Sequence, residues 1–199
     1  MLDNDKARTV VGRVIDPIAG LLVKLQVSPN VITLVGTIGI SASAILFFPD
    51  GDFLVGTLFI LVFIFSDLLD GTVARISGVS NPIGPFLDST MDRVTDAALF
   101  GSLVIYYANQ DSTLLGPAIV TAFAAQLISY IRAKAESQGI PMKVGIAERP
   151  ERIIILLVGT GFTGLGLSFA IDIAIITLTI LTIITVLQRL VAAYQSNPS

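Results

Sequence analysis

The chain has 199 residues, of which 53% are hydrophobic and only 14% are charged. A soluble domain of this size has too small an interior to bury so much apolar surface, so a lipid bilayer is expected to solvate the rest. The sequence contains neither cysteine nor histidine, which excludes disulfides, thiol nucleophiles, imidazole bases and zinc sites built from these ligands. Carboxylates, hydroxyls, lysine or arginine must therefore carry any chemistry.

The first segment, over about residues 5–25, is amphipathic. Apolar residues recur there close to i, i+3, i+4 and i+7, with charged residues between them. This pattern is typical of a helix that lies on a membrane surface. Ser28-Pro29-Asn30 then interrupts the pattern and is suited to cap the next helix. No signal-peptide pattern precedes it, so no cleavage is expected.

Six long apolar segments follow, and each can cross a hydrocarbon core of about 30 Å as a helix. They lie near residues 31–48, 53–75, 84–108, 113–135, 152–170 and 172–194. We therefore predict an all-α integral membrane protein, with six transmembrane helices preceded by an N-terminal amphipathic surface helix. A single domain over residues 1–199 is expected.

The position of each charge predicts the orientation in the membrane. With six spans, all 12 Lys and Arg residues fall on one side. The opposite connections contain Asp50, Asp52, Asp111 and Asp172 and no basic residue. The positive-inside rule then places both termini and the basic side in the cytoplasm, with the protein in the cell membrane.

Four carboxylates lie at the cytoplasmic ends of the second and third spans, namely Asp67, Asp70, Asp88 and Asp92. Each would cost about 2.5–3.5 kcal/mol at the centre of a bilayer, so something must compensate them. Asp67 and Asp70 are spaced i, i+3, and Asp88 and Asp92 are spaced i, i+4, so each pair shares one helix face. Two such pairs facing each other would form an oxygen-lined site suited to Mg²⁺ or Mn²⁺.

Neighbouring residues allow other interpretations of the same region. Ion pairs with Arg75 and Arg93 could compensate individual carboxylates, although four at this spacing are better explained by a metal. Gly71 and Ala74 lie on the acidic face of their helix, where small side chains leave room for a ligand; close helix packing is the alternative. Asp96, one turn beyond the last predicted ligand, is expected to form an ion pair or support the site rather than to bind metal.

A motif across the second and third spans carries a resemblance to a known family. It reads Asp67-x-x-Asp70-Gly71-x-x-Ala74-Arg75, then eight residues, then Gly84-x-x-x-Asp88-x-x-x-Asp92. This resembles the motif of the CDP-alcohol phosphotransferase family, whose six spans and surface helix also match. The resemblance implies two metal ions held by the four Asp residues, CDP-diacylglycerol or a similar donor, and a homodimer. It also implies that Asp92 accepts the proton of the attacking hydroxyl, and the absence of histidine agrees with a carboxylate base.

The resemblance also indicates where the donor binds. The start of the first span is on its own only a helix cap, although free N–H groups there suit a phosphate. With the resemblance, the residues expected to bind CDP-diacylglycerol are Asn30, Val31, Ile32, Thr33, Gly71, Ala74, Arg75 and Asn81. The acyl chains can remain in the lipid bilayer.

The acceptor is expected to meet the remaining basic residues of the cytoplasmic side. Arg132, Arg152 and Arg189 belong to three different helices, and Ser129 shares a face with Arg132. Converging guanidinium groups near a metal site indicate a second anion, because their forked donors suit phosphate. Contact with anionic lipid headgroups is the alternative.

The stretch from Ser129 to Arg152, together with Gln188-Arg189, resembles the actinobacterial phosphatidylinositol-phosphate synthases. That resemblance implies inositol phosphate as acceptor, with its phosphate held by Ser129, Arg132, Arg152 and Arg189. Phosphatidylglycerophosphate synthases, which use glycerol 3-phosphate, are the alternative within the family. An ion transporter is the alternative of a different class, but clustering of the carboxylates beside basic residues favours a phosphorylated substrate. No nucleic acid partner is expected.

Overall fold

The computed structural model describes residues 16–77 and 83–196, apart from the side chains of residues 66–68, 70 and 77. The described residues are predominantly helical, and no strand occurs among them, which confirms the all-α prediction. A helix over residues 16–24, α1, comes first. The following helices are α2 (Pro29–Phe47), α3 (Phe53–Ser77), α4 (Gly84–Asn109), α5 (Leu115–Ser137), α6 (Arg149–Gly164) and α7 (Ala170–Gln195).

Within these described ranges, α2, α5 and α7 are long and apolar enough to cross a membrane. Charged residues interrupt the apolar sequence of α3 and α4, and α6 is only 16 residues long. Large apolar side chains nevertheless stay exposed: Ile38 and Val62 are each 66% exposed, and Phe123 is 75% exposed. Such side chains are expected where a helix contacts lipid rather than water. The chain is a membrane protein.

The boundary between the last two predicted spans differs from the expectation. The fifth span was predicted to reach residue 170, but α6 ends at Gly164. Gly166 has a φ of +104°, its N–H donates to the Thr163 carbonyl at 3.0 Å, and the Leu167 N–H donates to the Phe162 carbonyl at 3.0 Å. This pair of hydrogen bonds is a Schellman motif, which ends a helix at a glycine. The apolar residues around Gly166 conceal that ending from a hydropathy pattern.

The chain divides into two compact units, and α2, α3 and α4 each contribute to both. The first unit contains the described residues up to Ser41 and the segment Phe59–Thr95. Its core is a cluster of Ala19, Ile32 and Val73, which come from α1, α2 and α3. The apolar residues of α1 that face this cluster therefore fix α1 to the two helices that follow it.

Close approach of α2 and α3 adds to the packing of the first unit. A Cβ atom at Gly39 of α2 would overlap the ring of Phe63 in α3. Only glycine allows the ring to lie against the α2 backbone, as is common where membrane helices pack closely.

The second unit contains Ala42–Leu58 and the described residues from Asp96 onwards, and in it α5 and α6 both pack on α7. A Cβ atom at Gly159 of α6 would overlap that of Ala174 in α7. Hydroxyl pairs also join helices: Thr57 and Thr160 lie 2.7 Å apart, as measured between their Oγ1 atoms. Hydrogen bonds of this kind are frequent between membrane helices. This packing holds the ends of α5, α6 and α7 in fixed positions.

Candidate active site

The four predicted metal ligands lie on α3 and α4, and both helices are continuous through them. Their i, i+3 and i, i+4 spacings therefore place each pair on one helix face. Asp88 is exposed and Asp92 is partly buried. The side chains of Asp67 and Asp70 lie outside the described residues. No group of three or more acidic side chains that could hold a metal occurs among the described ones, so the complete metal site stays a prediction.

The two arginines of the alternative interpretation make local contacts. Asp92 Oδ2 lies 3.8 Å from Arg93 Nη2, with the two side chains 26% and 30% exposed. A pair that is partly open to solvent in this way contributes about 1 kcal/mol at most. Arg75 is exposed and its Nη2 donates to the Thr72 hydroxyl of the same helix at 3.0 Å. Of the four carboxylates, these contacts include Asp92.

Gly71 of α3 lies beside open space. A Cβ atom at Gly71 would meet no described atom within 4 Å, so close helix packing does not explain the glycine there. Ala74, one turn further along α3, is partly buried. Open space at Gly71, on the helix whose sequence contains two of the predicted ligands, is suited to a substrate phosphate that would complete the coordination of a divalent ion.

The start of α2 is capped as the sequence indicated. The Ser28 hydroxyl accepts a hydrogen bond from the Val31 N–H at 3.4 Å, and Pro29 is the first helical residue. Ile32 belongs to the core of the first unit, and the buried Thr33 donates its hydroxyl hydrogen to the Pro29 carbonyl at 3.2 Å. The side chains of Ile32 and Thr33 thus serve the fold, and the Ile32 N–H donates to the Ser28 carbonyl at 3.4 Å.

Two further residues of the predicted donor set remain accessible at the same place. Asn30 is partly buried and Val31 is 49% exposed. Asn81, the last predicted donor residue, lies outside the described residues.

Arg189 of α7 is only 2% exposed, and its guanidinium is held on two sides by carbonyl groups. Its Nε donates to the Val144 carbonyl at 2.8 Å, and its Nη1 donates to the Ile128 carbonyl at 2.7 Å. Its Nη2 lies 3.5 Å from Oε1 of Glu148. The two strong bonds fix the plane of the guanidinium and direct Nη2 towards the Glu148 side.

Arg132 of α5 reaches the same carboxylate. Its Nη1 lies 3.9 Å from Oε2 of Glu148, with the two side chains 46% and 40% exposed. Its Nε makes a shorter hydrogen bond, at 2.9 Å, to Oε1 of Glu136. The structure therefore brings Arg132 and Arg189 together around Glu148. Ser129 is partly buried and its hydroxyl donates to the Ala125 carbonyl at 3.3 Å.

Arg152, the third predicted acceptor arginine, is buried in an ion-pair network. Its Nη2 lies 3.3 Å from Oδ2 of Asp96, and its Nη1 donates to the Ala147 carbonyl at 3.0 Å. Arg149 donates from Nε to Oδ1 of the same carboxylate at 3.1 Å. Asp96 is 0% exposed and Arg152 is 1% exposed, so each charge needs the other. The ion-pair role expected for Asp96 is confirmed.

Sequence reasoning missed Glu148 as the partner of two arginines and did not name the partners of Asp96. Glu148 lies at the N-cap of α6, but its side chain makes no capping hydrogen bond. A usable signal was present, because an arginine inside an apolar helix requires a buried carboxylate or carbonyl partner. For these three arginines, partners within the protein should therefore have been predicted before a ligand.

Comparison with known proteins gives the family. The family model described as CDP-alcohol phosphatidyltransferase matches residues 26–194. A phosphatidylinositol phosphate synthase of Streptomyces avermitilis is 41% identical over 203 aligned residues, which cover 98% of this chain and 83% of that protein. The protein of the same name from Corynebacterium glutamicum is also 41% identical, with 92% of this chain and 85% of that protein covered.

Solved structures agree with these relatives. The crystal structure of Mycobacterium tuberculosis phosphatidylinositol phosphate synthase with CDP-DAG bound has a TM-score of 0.86 and 34% identity, covering 92% of this chain and 94% of that one. A second structure of that protein, in complex with manganese and citrate, has a TM-score of 0.85 and 34% identity, covering 89% of this chain and 88% of that one. Motif, fold and comparisons coincide, and this chain is an enzyme that belongs to the CDP-alcohol phosphatidyltransferase family.

Proposed function

We propose that this chain transfers the phosphatidyl group of CDP-diacylglycerol to inositol phosphate, giving phosphatidylinositol phosphate and CMP. The choice of acceptor rests on the guanidinium of Arg189, which two carbonyl groups hold in place. Arg189 and Arg132 are both directed towards the same anionic position. The paired N–H donors of a guanidinium suit the oxygens of a phosphate monoester. A neutral polyol has no anionic group to accept them. Two relatives that are 41% identical and cover more than nine-tenths of this chain are named phosphatidylinositol phosphate synthase.

The reaction exchanges the phosphoanhydride bond of CDP-diacylglycerol for a phosphoester bond to the acceptor. The acceptor hydroxyl oxygen attacks the phosphorus of the phosphatidyl group, the bond from this phosphorus to the bridging oxygen breaks, and CMP leaves with the electron pair. Asp92 accepts the hydroxyl proton, a role worth roughly 10²–10⁴ in rate. Asp67, Asp70, Asp88 and Asp92 hold two divalent ions, Mg²⁺ or Mn²⁺. When bound, these ions neutralise charge that develops on the leaving phosphate.

Two sets of residues bind the substrates. The residues that contact the cytidine and phosphate end of CDP-diacylglycerol are Asn30, Val31, Ile32, Thr33, Gly71, Ala74, Arg75 and Asn81. Ser129, Arg132 and Arg189 hold the acceptor phosphate. Arg152 belongs to the same set, with its guanidinium oriented by Asp96 and the Ala147 carbonyl.

The arrangement in the membrane is part of the proposal. The helices α2 to α7 form six spans, because each occupies a predicted span and the basic residues alternate with acidic connections. The termini and the site face the cytoplasm. The surface helix includes α1, whose Ile18 and Leu21 stay 44% and 57% exposed, as does Leu25 just after it at 64%, and these side chains are suited to enter the lipid interface. The enzyme acts as a homodimer.

Product analysis tests this activity. Purified protein should convert CDP-diacylglycerol and inositol phosphate into CMP and a lipid with the mass of phosphatidylinositol phosphate. EDTA should abolish the conversion, and Mg²⁺ or Mn²⁺ should restore it. Conversion that is indifferent to chelation would contradict the metal mechanism, and absence of the lipid product would contradict the reaction.

A further inference from the structure

The anion position between Arg132 and Arg189 already contains a carboxylate. Oε1 of Glu148 lies 3.5 Å from Arg189 Nη2, and Oε2 lies 3.9 Å from Arg132 Nη1. Glu148 thus spans the two cations with its two oxygens, which is the geometry that a phosphate with several oxygens can adopt. Any anion that binds both arginines must therefore compete with the Glu148 carboxylate for them.

Glu148 is held loosely compared with the other partners of these arginines. Both of its contacts exceed the 2.7–2.9 Å or so of a strong charge-assisted hydrogen bond. The bonds of Arg189 to Val144 and Ile128, at 2.8 and 2.7 Å, are much shorter. The Glu148 side chain is 40% exposed and makes no capping bond at α6. It can therefore swing away while the guanidinium of Arg189 stays in place.

We infer that Glu148 is a specificity-determining residue, a resting counter-ion that the phosphate of the acceptor displaces from Arg189 and Arg132. The inference rests on the proposed function, since it assumes that these arginines bind the acceptor phosphate. A phosphate monoester carries about −1.5 to −2 charges at pH 7 and outcompetes a single carboxylate for two cations. A neutral polyol offers no anion to replace Glu148 and leaves the resting contact intact. Glu148 thereby admits phosphorylated acceptors and disfavours free ones.

The Glu148→Gln variant tests this inference, because glutamine keeps the size and loses the charge. We expect the KM for inositol phosphate and the Ki of inorganic phosphate, as a competitive inhibitor, each to fall by about two- to fivefold, the range for removing one partly exposed competing charge. The KM for CDP-diacylglycerol should stay unchanged. Glu148→Asp, whose carboxylate withdraws from the arginines, should give a smaller fall of the same sign. Glu151→Gln, on the exposed first turn of α6, is the matched control and should change neither constant.

A raised or unchanged KM for inositol phosphate in both Glu148 variants, with melting temperatures like that of the parent, would overturn the inference and make Glu148 a mere structural neighbour of the arginines. The Arg189→Gln variant separates this failure from failure of the proposed function. If Arg189→Gln raises the KM for inositol phosphate while Glu148→Gln does not lower it, the acceptor site stands and the displacement is wrong. If Arg189→Gln leaves that KM unchanged, the acceptor site itself is wrong and the inference fails with it.

Discussion

Asp88 and Asp92 lie one turn apart on α4, yet their substitution is expected to impair different steps, namely metal binding and proton transfer. Asp92→Asn removes the proposed base, so kcat should fall by roughly 10²–10⁴ even where metal and CDP-diacylglycerol still bind. Asp88→Asn, like Asp67→Asn and Asp70→Asn, should abolish transfer by weakening metal binding. Measuring kcat across a wide range of Mg²⁺ concentrations checks the distinction. Recovery of Asp92→Asn at high Mg²⁺ would reduce Asp92 to a ligand.

Asp96 gives a prediction about stability. Asp96→Asn leaves Arg152 buried and without its carboxylate, which should cost about 3–5 kcal/mol of stability, the usual penalty for breaking a buried ion pair from one side. The measurement is thermal unfolding of purified protein in detergent, and Asp111→Asn at an exposed position is the matched control. Equal melting temperatures for the two variants would show that the network around Asp96 contributes little.

Two glycines of different helices predict opposite effects of the same substitution. Gly71→Ala on α3 meets no described atom within 4 Å, so stability should rise by about 0.5–1 kcal/mol, as for glycine to alanine in a helix interior. The added methyl group should still raise the KM for CDP-diacylglycerol, because it enters the space proposed for the donor. Gly159→Ala on α6 overlaps Ala174 of α7 and should cost about 1–3 kcal/mol through overpacking.

Thermal unfolding and donor titration of both glycine variants check these expectations. A Gly71→Ala enzyme with unchanged KM for the donor would remove Gly71 from the donor site. A Gly159→Ala enzyme of unchanged stability would show that α6 and α7 can separate to admit the methyl group.

At the level of helices, the sequence predicted more of the fold than of the site. The starts and ends of α3 and α4 followed from apolar length and from turn residues, because bilayer thickness and glycine or proline leave clear patterns. The end of α6 did not, since Gly166 ends it inside an apolar stretch. The i, i+3 and i, i+4 spacing of the carboxylates identified candidate ligands because helix geometry alone fixes which side chains share a face.

Contacts between distant segments could not be predicted in the same way. The pairing of Glu148 with Arg132 and Arg189 depends on where the segment before α6 meets α5 and α7. No local sequence pattern predicts this tertiary contact. Asp96 could be expected to form an ion pair, but the choice of Arg149 and Arg152 as its partners required the fold.

For the whole molecule, the proposed six-span topology predicts which loops reach which solvent. The parent sequence contains no cysteine, so single-cysteine variants report one site each. Gln110→Cys, between α4 and α5, should react with an impermeant thiol reagent from outside intact cells. Gln138→Cys, just after α5, should react only in inverted vesicles. Both positions are exposed, which makes them a matched pair, and labelling of both from the same side would contradict six spans.

The central claim is that a member of this family uses a phosphorylated inositol as acceptor, and a side-by-side acceptor assay tests it most directly. Purified enzyme with CDP-diacylglycerol and Mg²⁺ should be given inositol phosphate, free inositol and glycerol 3-phosphate separately, and kcat/KM should be determined from CMP release. We predict the highest kcat/KM for inositol phosphate, because Arg132 and Arg189 are directed towards a single anion. Preference for glycerol 3-phosphate would keep the anion site and change the product, whereas preference for free inositol would contradict the account.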